Sequence, residues 1–243
     1  MDYTKTNTQG YAWEEGVRKT MVSKPRTFKR LIPAFGLALI ASLALGALAA
    51  GSASALSLVP ASGKYPYTVN VAGGPFQVQE KEQTPIYCNK SGAVGKFTNG
   101  TSAELTLYLS GCAIGAAWEC NSVGQPAGTI ATSLKATLVY LDAAKTKPGL
   151  MLAPQTWPFA EMSCGFGLIK RVWYGELGVS IYEPGLNVST KVLRLQTLPT
   201  TQIDGVGLVH SLNASTNGGA LVPVVRFDSF STLTGSENAK LIP

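Results

Sequence analysis

The chain has 243 residues, 45% apolar and 14% charged, with 26 glycines, 14 prolines, four cysteines and one histidine. The apolar fraction and low charge exclude wholesale disorder, the glycines show no collagen period, and one histidine excludes a three-histidine zinc site. The formal charge of +6 suggests a nucleic-acid or membrane partner, so its distribution along the chain decides what it means.

At the N-terminus, Lys24, Arg26, Lys29 and Arg30 form a basic stretch with no acid. Residues 31–63 then carry no charge, and 31–50 are almost entirely Leu, Ala, Ile, Phe and Gly. A basic stretch followed by an apolar one is the order of a secretory signal peptide, and Ala53-Ser54-Ala55 supplies the small-x-small cleavage box. The sequence therefore predicts a cytoplasmic basic region over 1–30, a hydrophobic helix and cleavage site over 31–55, and a mature chain beginning at Leu56. Met21 offers a start of conventional signal length, alongside Met1. The competing reading is an uncleaved membrane anchor, since about 20 apolar residues can span a bilayer. Pro33, Gly36, Gly46 and the cleavage box count against it. Either way the chain after Leu56 lies outside the cytoplasm.

Residues 1–55 hold seven basic residues (Lys5, Arg18, Lys19, Lys24, Arg26, Lys29, Arg30) against three acids (Asp2, Glu14, Glu15), a net +4. Residues 56–243 hold 13 basic and 11 acidic residues, a net +2, with Lys170-Arg171 the one adjacent basic pair. No basic stripe remains that would displace counterions from a phosphate backbone, so no nucleic-acid partner is expected.

Beyond Leu56 the apolar pattern has period two. Residues 103–109 alternate Leu105, Leu107 and Leu109 against Glu104, Thr106 and Tyr108. Candidate strands follow at 134–141, 149–153 and 159–164. The longest run, 168–181, sets Trp173, Leu177, Val179 and Ile181 against Lys170, Tyr174, Glu176 and Ser180. Further runs cover 188–195, 206–212 and 221–227. Turn signals such as Gly73-Gly74-Pro75, Asn99-Gly100 and Asn217-Gly218-Gly219 separate them. This pattern predicts an all-β fold, an antiparallel β-sandwich or barrel-like domain over 56–228, preceded by the N-terminal hydrophobic helix. The Ser-, Thr- and Gly-rich stretch 229–243 reads as a flexible tail.

All four cysteines, Cys88, Cys112, Cys120 and Cys164, follow the cleavage box, and an even number outside the cell reads as two disulfides. Four cysteines allow three connectivities. Sequence proximity favours Cys112–Cys120 around a seven-residue loop, with Cys88–Cys164 closing a long one. Zinc spacing is missing, and no metal or cofactor is expected.

From Gly111-Cys112 through Cys120, Ser122 and Gly124 to Gly128-Thr129-Ile130, and on to Phe159 and Cys164, the chain resembles a group of uncharacterised secreted actinobacterial proteins. These share a G-C…C-x-S-x-G core followed by a later F-x-C strand. The resemblance covers about fifty residues and departs at Ala136, where glycine is usual. It implies a secreted, disulfide-stapled β domain and assigns no activity.

Candidate sites are few. His210 stands alone in a strand, without a G-x-S-x-G elbow anywhere in the chain. Glu161 and Glu176 are the best pair for glycoside hydrolysis, which needs two carboxyls roughly 5–9.5 Å apart. Trp118, between Cys112 and Cys120, is the leading stacking platform for a glycan, with Trp157 and Tyr65-Pro66-Tyr67 behind it. The expected function is a non-catalytic binding or structural module, secreted or on the outer face of the envelope. Its partner would be a cell-surface polymer or an envelope protein, and it would touch the membrane only through the N-terminal segment. The alternative is a secreted polysaccharide hydrolase using paired carboxylates.

Overall fold

Alternating side chains oblige a strand to bury one face, and here the buried faces close on themselves twice. The computed structural model describes residues 56–243 apart from 116, 198–200 and 204–207, and for 201–203 and 228 the backbone alone. In chain order the strands are β1 (Ser57–Pro60), β2 (Tyr67–Gly73), β3 (Phe76–Glu80), β4 (Ile86–Cys88), β5 (Lys90–Phe97) and β6 (Ser102–Ser110). There follow β7 (Ala113–Ile114), β8 (Trp118–Asn121), β9 (Thr129–Tyr140), β10 (Pro148–Pro154), β11 (Ala160–Cys164) and β12 (Ile169–Gly175). The last six are β13 (Leu177–Glu183), β14 (Ser189–Thr197), β15 (Thr201–Ile203), β16 (Val209–Thr216), β17 (Val222–Asp228) and β18 (Phe230–Ile242). Among the described residues there is no helix.

All pairings are antiparallel, and they form two closed eight-stranded barrels. The larger runs β2-β5-β6-β9-β10-β13-β14-β18 and closes where β18 meets β2, with β1 extending the same edge of β18. The smaller runs β3-β4-β7-β8-β11-β12-β16-β17 and closes where β16 meets β12 and β17 meets β3, with β15 added beside β16. The chain visits the two barrels in turn and keeps the same circular order in both. Links of one or two residues carry β2 into β3, β4 into β5, β6 into β7, β12 into β13 and β17 into β18. Five of the eight crossings between the barrels are thus near-continuous strands broken at a common waist, while β8 to β9, β10 to β11 and β14 to β16 cross by longer connections.

Glycine makes one of these breaks possible. Gly175 has φ +117°, and a Cβ there would lie 1.9 Å from the Ser211 carbonyl oxygen. Only a residue without a side chain can take that conformation so close to the facing backbone. The 168–181 run read as one strand is therefore two, β12 in the smaller barrel and β13 in the larger. Trp173 and Leu177 nevertheless both point inward, as their shared parity requires.

Inward residues of the two barrels form one continuous core. Leu105, Leu134, Leu138, Leu177 and Leu233 fill the larger barrel, and Val78, Met162, Trp173 and Phe227 the smaller. The outer face of the larger barrel carries Lys96, Glu104, Lys135 and Thr137 beside the exposed Val94 and Tyr108.

Two expectations are corrected. The stretch 229–243 is no tail: β18 is the longest strand, hydrogen-bonded to β14 on one edge and to β2 and β1 on the other. The disulfides are Cys88–Cys112 and Cys120–Cys164, not Cys112–Cys120 with Cys88–Cys164. The four cysteines lie in a row across β4, the start of β7, β8 and β11, so each inner cysteine has a choice of neighbours. The Cys120 amide donates to the Cys112 carbonyl at 2.8 Å while the Cys112 amide donates to the Gly128 carbonyl at 2.9 Å, so these two share one ladder bond and no sulfur–sulfur bond. Gly165 N–H donates to Glu119, so the next pair along, Cys120–Cys164, is the closer, non-hydrogen-bonded kind. Cα separations of 3.9 and 4.0 Å at the two bridged pairs let the sulfurs meet across the ladder.

The expected basic region, signal segment and cleavage residues Ala53 and Ala55 lie outside the described residues. Leu56, the expected first residue of the mature chain, is described and buried.

Candidate functional site

Both catalytic candidates have partners of their own. Glu161, on β11, accepts an ion pair from Lys170 at 2.7 Å, and this carboxylate holds the Lys170 ammonium above its ordinary value. Glu176, at the β12–β13 break, is bound to Nδ1 of His210 on β16. Glu161 stands opposite Val172 in register, four residues short of Glu176. At about 3.3 Å per residue that is roughly 13 Å along the sheet, beyond the spacing of a hydrolase pair. The fold does not bring the two carboxylates together. The Tyr65-Pro66-Tyr67 segment is structural as well: the Tyr65 hydroxyl donates to the Leu58 carbonyl, and Tyr67 is buried with its hydroxyl on the Glu237 carbonyl at 2.8 Å. Trp157 is exposed, in the loop between β10 and β11.

Trp118 is placed differently. It lies on β8, paired with Ile114 of β7, two residues before Cys120. The loop around it is not closed by its own disulfide as expected, but both strands of its hairpin are stapled outward, one to β4 and one to β11. The indole lies against Gly165 of the β11–β12 turn, where a Cβ would come within 3.1–3.4 Å of Cε3, Cδ2 and Cγ. Trp118 still leaves 46% of its surface exposed. The same turn carries Phe166, wholly exposed at 107%, and Leu168 at 71%, and it is closed by Leu168 N–H donating to the Gly165 carbonyl at 3.3 Å. Three large apolar side chains thus stand exposed at one end of the smaller barrel, Trp118 against Gly165 and Phe166 and Leu168 on the turn itself. Phe166 and Leu168 were missed in the sequence; the signal was Gly-Phe-Gly-Leu directly after a cysteine, a turn with no polar residue.

A second group missed in the sequence lies inside the same barrel. Glu80 and Arg171 are 0% and 2% exposed, with Arg171 Nη1 3.4 Å from Glu80 Oε1, and Trp173 Nε1 donates to that oxygen at 3.0 Å. Burial pulls the Arg171 guanidinium below its ordinary value, and the Glu80 carboxylate opposes that pull. Glu80 Oε2, Arg171 Nε and Thr216 Oγ1, opposite Arg171 in register, lack hydrogen-bond partners. The group is sealed from solvent and serves the interior.

Among the described residues no group of three or more His, Cys, Asp or Glu side chains could hold a metal ion. Compared with family models, with curated proteins and with solved structures, the chain finds no match in any of the three.

Proposed function

We propose that this protein is a secreted or cell-envelope binding module without catalysis, meeting an envelope polymer or protein through the aromatic end of its smaller barrel. The observation that carries this reading is Trp118 braced flat on Gly165 beside Phe166 and Leu168. An indole already packed against the backbone loses little conformational freedom on binding, and aromatic anchors dominate interface energies. Export is supported by the basic, apolar and small-residue order of the first 55 residues and by two disulfides, which belong to an oxidising environment. The resemblance to the actinobacterial secreted group agrees with this and adds no activity. The hydrolase reading draws no support from the separated Glu161 and Glu176.

The test is retention on insoluble cell-wall polysaccharide and on envelope fragments from the producing cells. Wild type is expected in the bound fraction, with Trp118→Ala and Phe166→Ala each bound at least about tenfold more weakly, the loss of an anchor worth more than 1 kcal/mol. Equal retention of all three proteins would remove the aromatic end from the account. Full-length, unprocessed protein found in the cytosol would overturn the export premise.

A further inference from the structure

The larger barrel is not completely filled. Just below the waist it holds a cavity of about 70 Å³, walled by Leu105, Leu150, Leu152, Leu177, Val179 and Leu195 and roofed by Phe76 and Phe227, whose rings meet edge to face at 4.5 Å. None of the described residues lining it carries a charge. The polar part of its wall is a group of hydroxyls at the waist: Ser91, Ser229, Ser231 and Thr197.

These hydroxyls have a direction. Ser91 Oγ donates to the Gly74 carbonyl at 3.3 Å, and a carbonyl can only accept. Its one proton spent there, Ser91 must accept from Ser229 at 3.1 Å, and Ser229 in turn from Ser231 at 3.1 Å. Thr197 fixes the middle of the relay, its hydroxyl accepting from Ser229 N–H at 2.8 Å. The relay ends on Ser231 with its donor used and its lone pairs open. Gly73 is required beside it, because a Cβ there would fall 2.2 Å from Ser91 Oγ and 2.7 Å from Ser231 Oγ. Ser91 and Ser231 are half-buried, which sets the hydroxyl group between the cavity and solvent.

We propose that this chamber is a binding site for a small neutral alcohol, its alkyl part among the leucines and its O–H donated to Ser231 Oγ. Apolar walls without charge disfavour a carboxylate or an ammonium, whose desolvation would go unanswered. An acceptor-ended relay selects a donor over an ether of the same shape. Size limits the ligand further, since an apolar cavity of about 150 Å³ is what takes benzene. A chamber of about half that volume suits three to five heavy atoms.

The test is methyl NMR on the whole protein titrated with 1-butanol, with methyl propyl ether as the isosteric acceptor-only control and propionate, of the same number of heavy atoms, as the charged one. Saturable shifts are expected on the methyls of Leu150, Leu177 and Val179 with 1-butanol. The ether should bind about tenfold more weakly, the loss of one hydrogen bond, and propionate should give no saturable shift. Ser231→Ala should bring alcohol and ether to the same affinity, and Ala93→Leu, at a β5 residue on the chamber wall, fills the chamber and should remove both. Should Ala93→Leu fail to fold, the Ser231→Ala comparison still decides. Shifts that grow without saturating, equal binding of alcohol and ether to wild type, or an ordered water on Ser231 that 1-butanol does not displace would each overturn the proposal.

Discussion

The two barrels solve the same closure problem with different means. The larger is built from strands of seven to thirteen residues, so its ladders are long and its interior is filled with leucine. The smaller closes through strands as short as β7, two residues, and β4, three. Such strands supply few ladder hydrogen bonds and little side-chain burial, and both disulfides sit there, joining β4 to the start of β7 and β8 to β11. The smaller barrel also holds the one buried charge pair among the described residues, while the larger holds a cavity and a hydroxyl relay. The staples are placed where the ladder is thinnest, and they brace the strands that carry the exposed aromatic end.

Reduction should separate the two halves more than any single substitution. The chain-entropy model assigns about 3.5 kcal/mol to the Cys88–Cys112 loop and about 4 kcal/mol to the Cys120–Cys164 loop, against a typical total stability of about 5–15 kcal/mol. Amide exchange on the reduced protein should show protection lost first in β4, β7, β8 and β11, with β6, β9 and β18 holding longest. Uniform loss across both barrels would erase the contrast.

Next in size is the buried pair. Arg171→Met leaves the buried Glu80 carboxyl without its counter-charge and should cost about 3–5 kcal/mol in urea unfolding. The double variant Glu80→Gln, Arg171→Met should recover most of it, because no buried charge is then left unpaired. No recovery would mean that the pair does more than answer its own burial.

The waist comes third. Gly175→Ala forces a side chain into the Ser211 backbone at φ +117° and should cost about 3 kcal/mol in thermal unfolding. A neutral result would show that β12 and β13 are not held in this break.

The smallest effect belongs to the larger barrel. Burial raises the Tyr67 phenol above its ordinary value, and the Glu237 carboxylate adds to this; burial likewise raises Tyr65. A raised value in the folded state means the neutral phenol is the favoured form. Its contribution to stability is full below about pH 10 and is lost as pH rises through the folded value. An alkaline melting series should therefore fall less steeply for Tyr67→Phe than for wild type, after allowing for the lost bond to the Glu237 carbonyl.

Period-two alternation made most of the strands legible. Residues 103–109 fall in β6, 134–140 in β9 and 160–164 in β11, and in β6 Leu105 and Leu109 face inward as expected. What was hidden had physical causes. The last strand hid because its inward positions include Gly235 and Ala239, and a Cβ at Gly235 would collide with the Tyr67 hydroxyl. A strand whose inward space is filled by another strand's side chain shows little apolar signal of its own. Arg171 hid as a surface charge beside Lys170, although it shares the parity of buried Trp173. The disulfides hid because sequence separation ranks loops, whereas register decides which sulfurs face each other. The single histidine and the two candidate glutamates were visible from the start, but which partners they would meet depended on the break at Gly175.

The most direct test of this architecture is a peptide map of the unreduced protein. The strand register requires one cross-linked pair containing Cys88 with Cys112 and another containing Cys120 with Cys164, because those are the residues bonded across neighbouring strands of the smaller barrel. A peptide joining Cys112 to Cys120, or Cys88 to Cys164, would contradict the register on which both the barrel and its aromatic end depend.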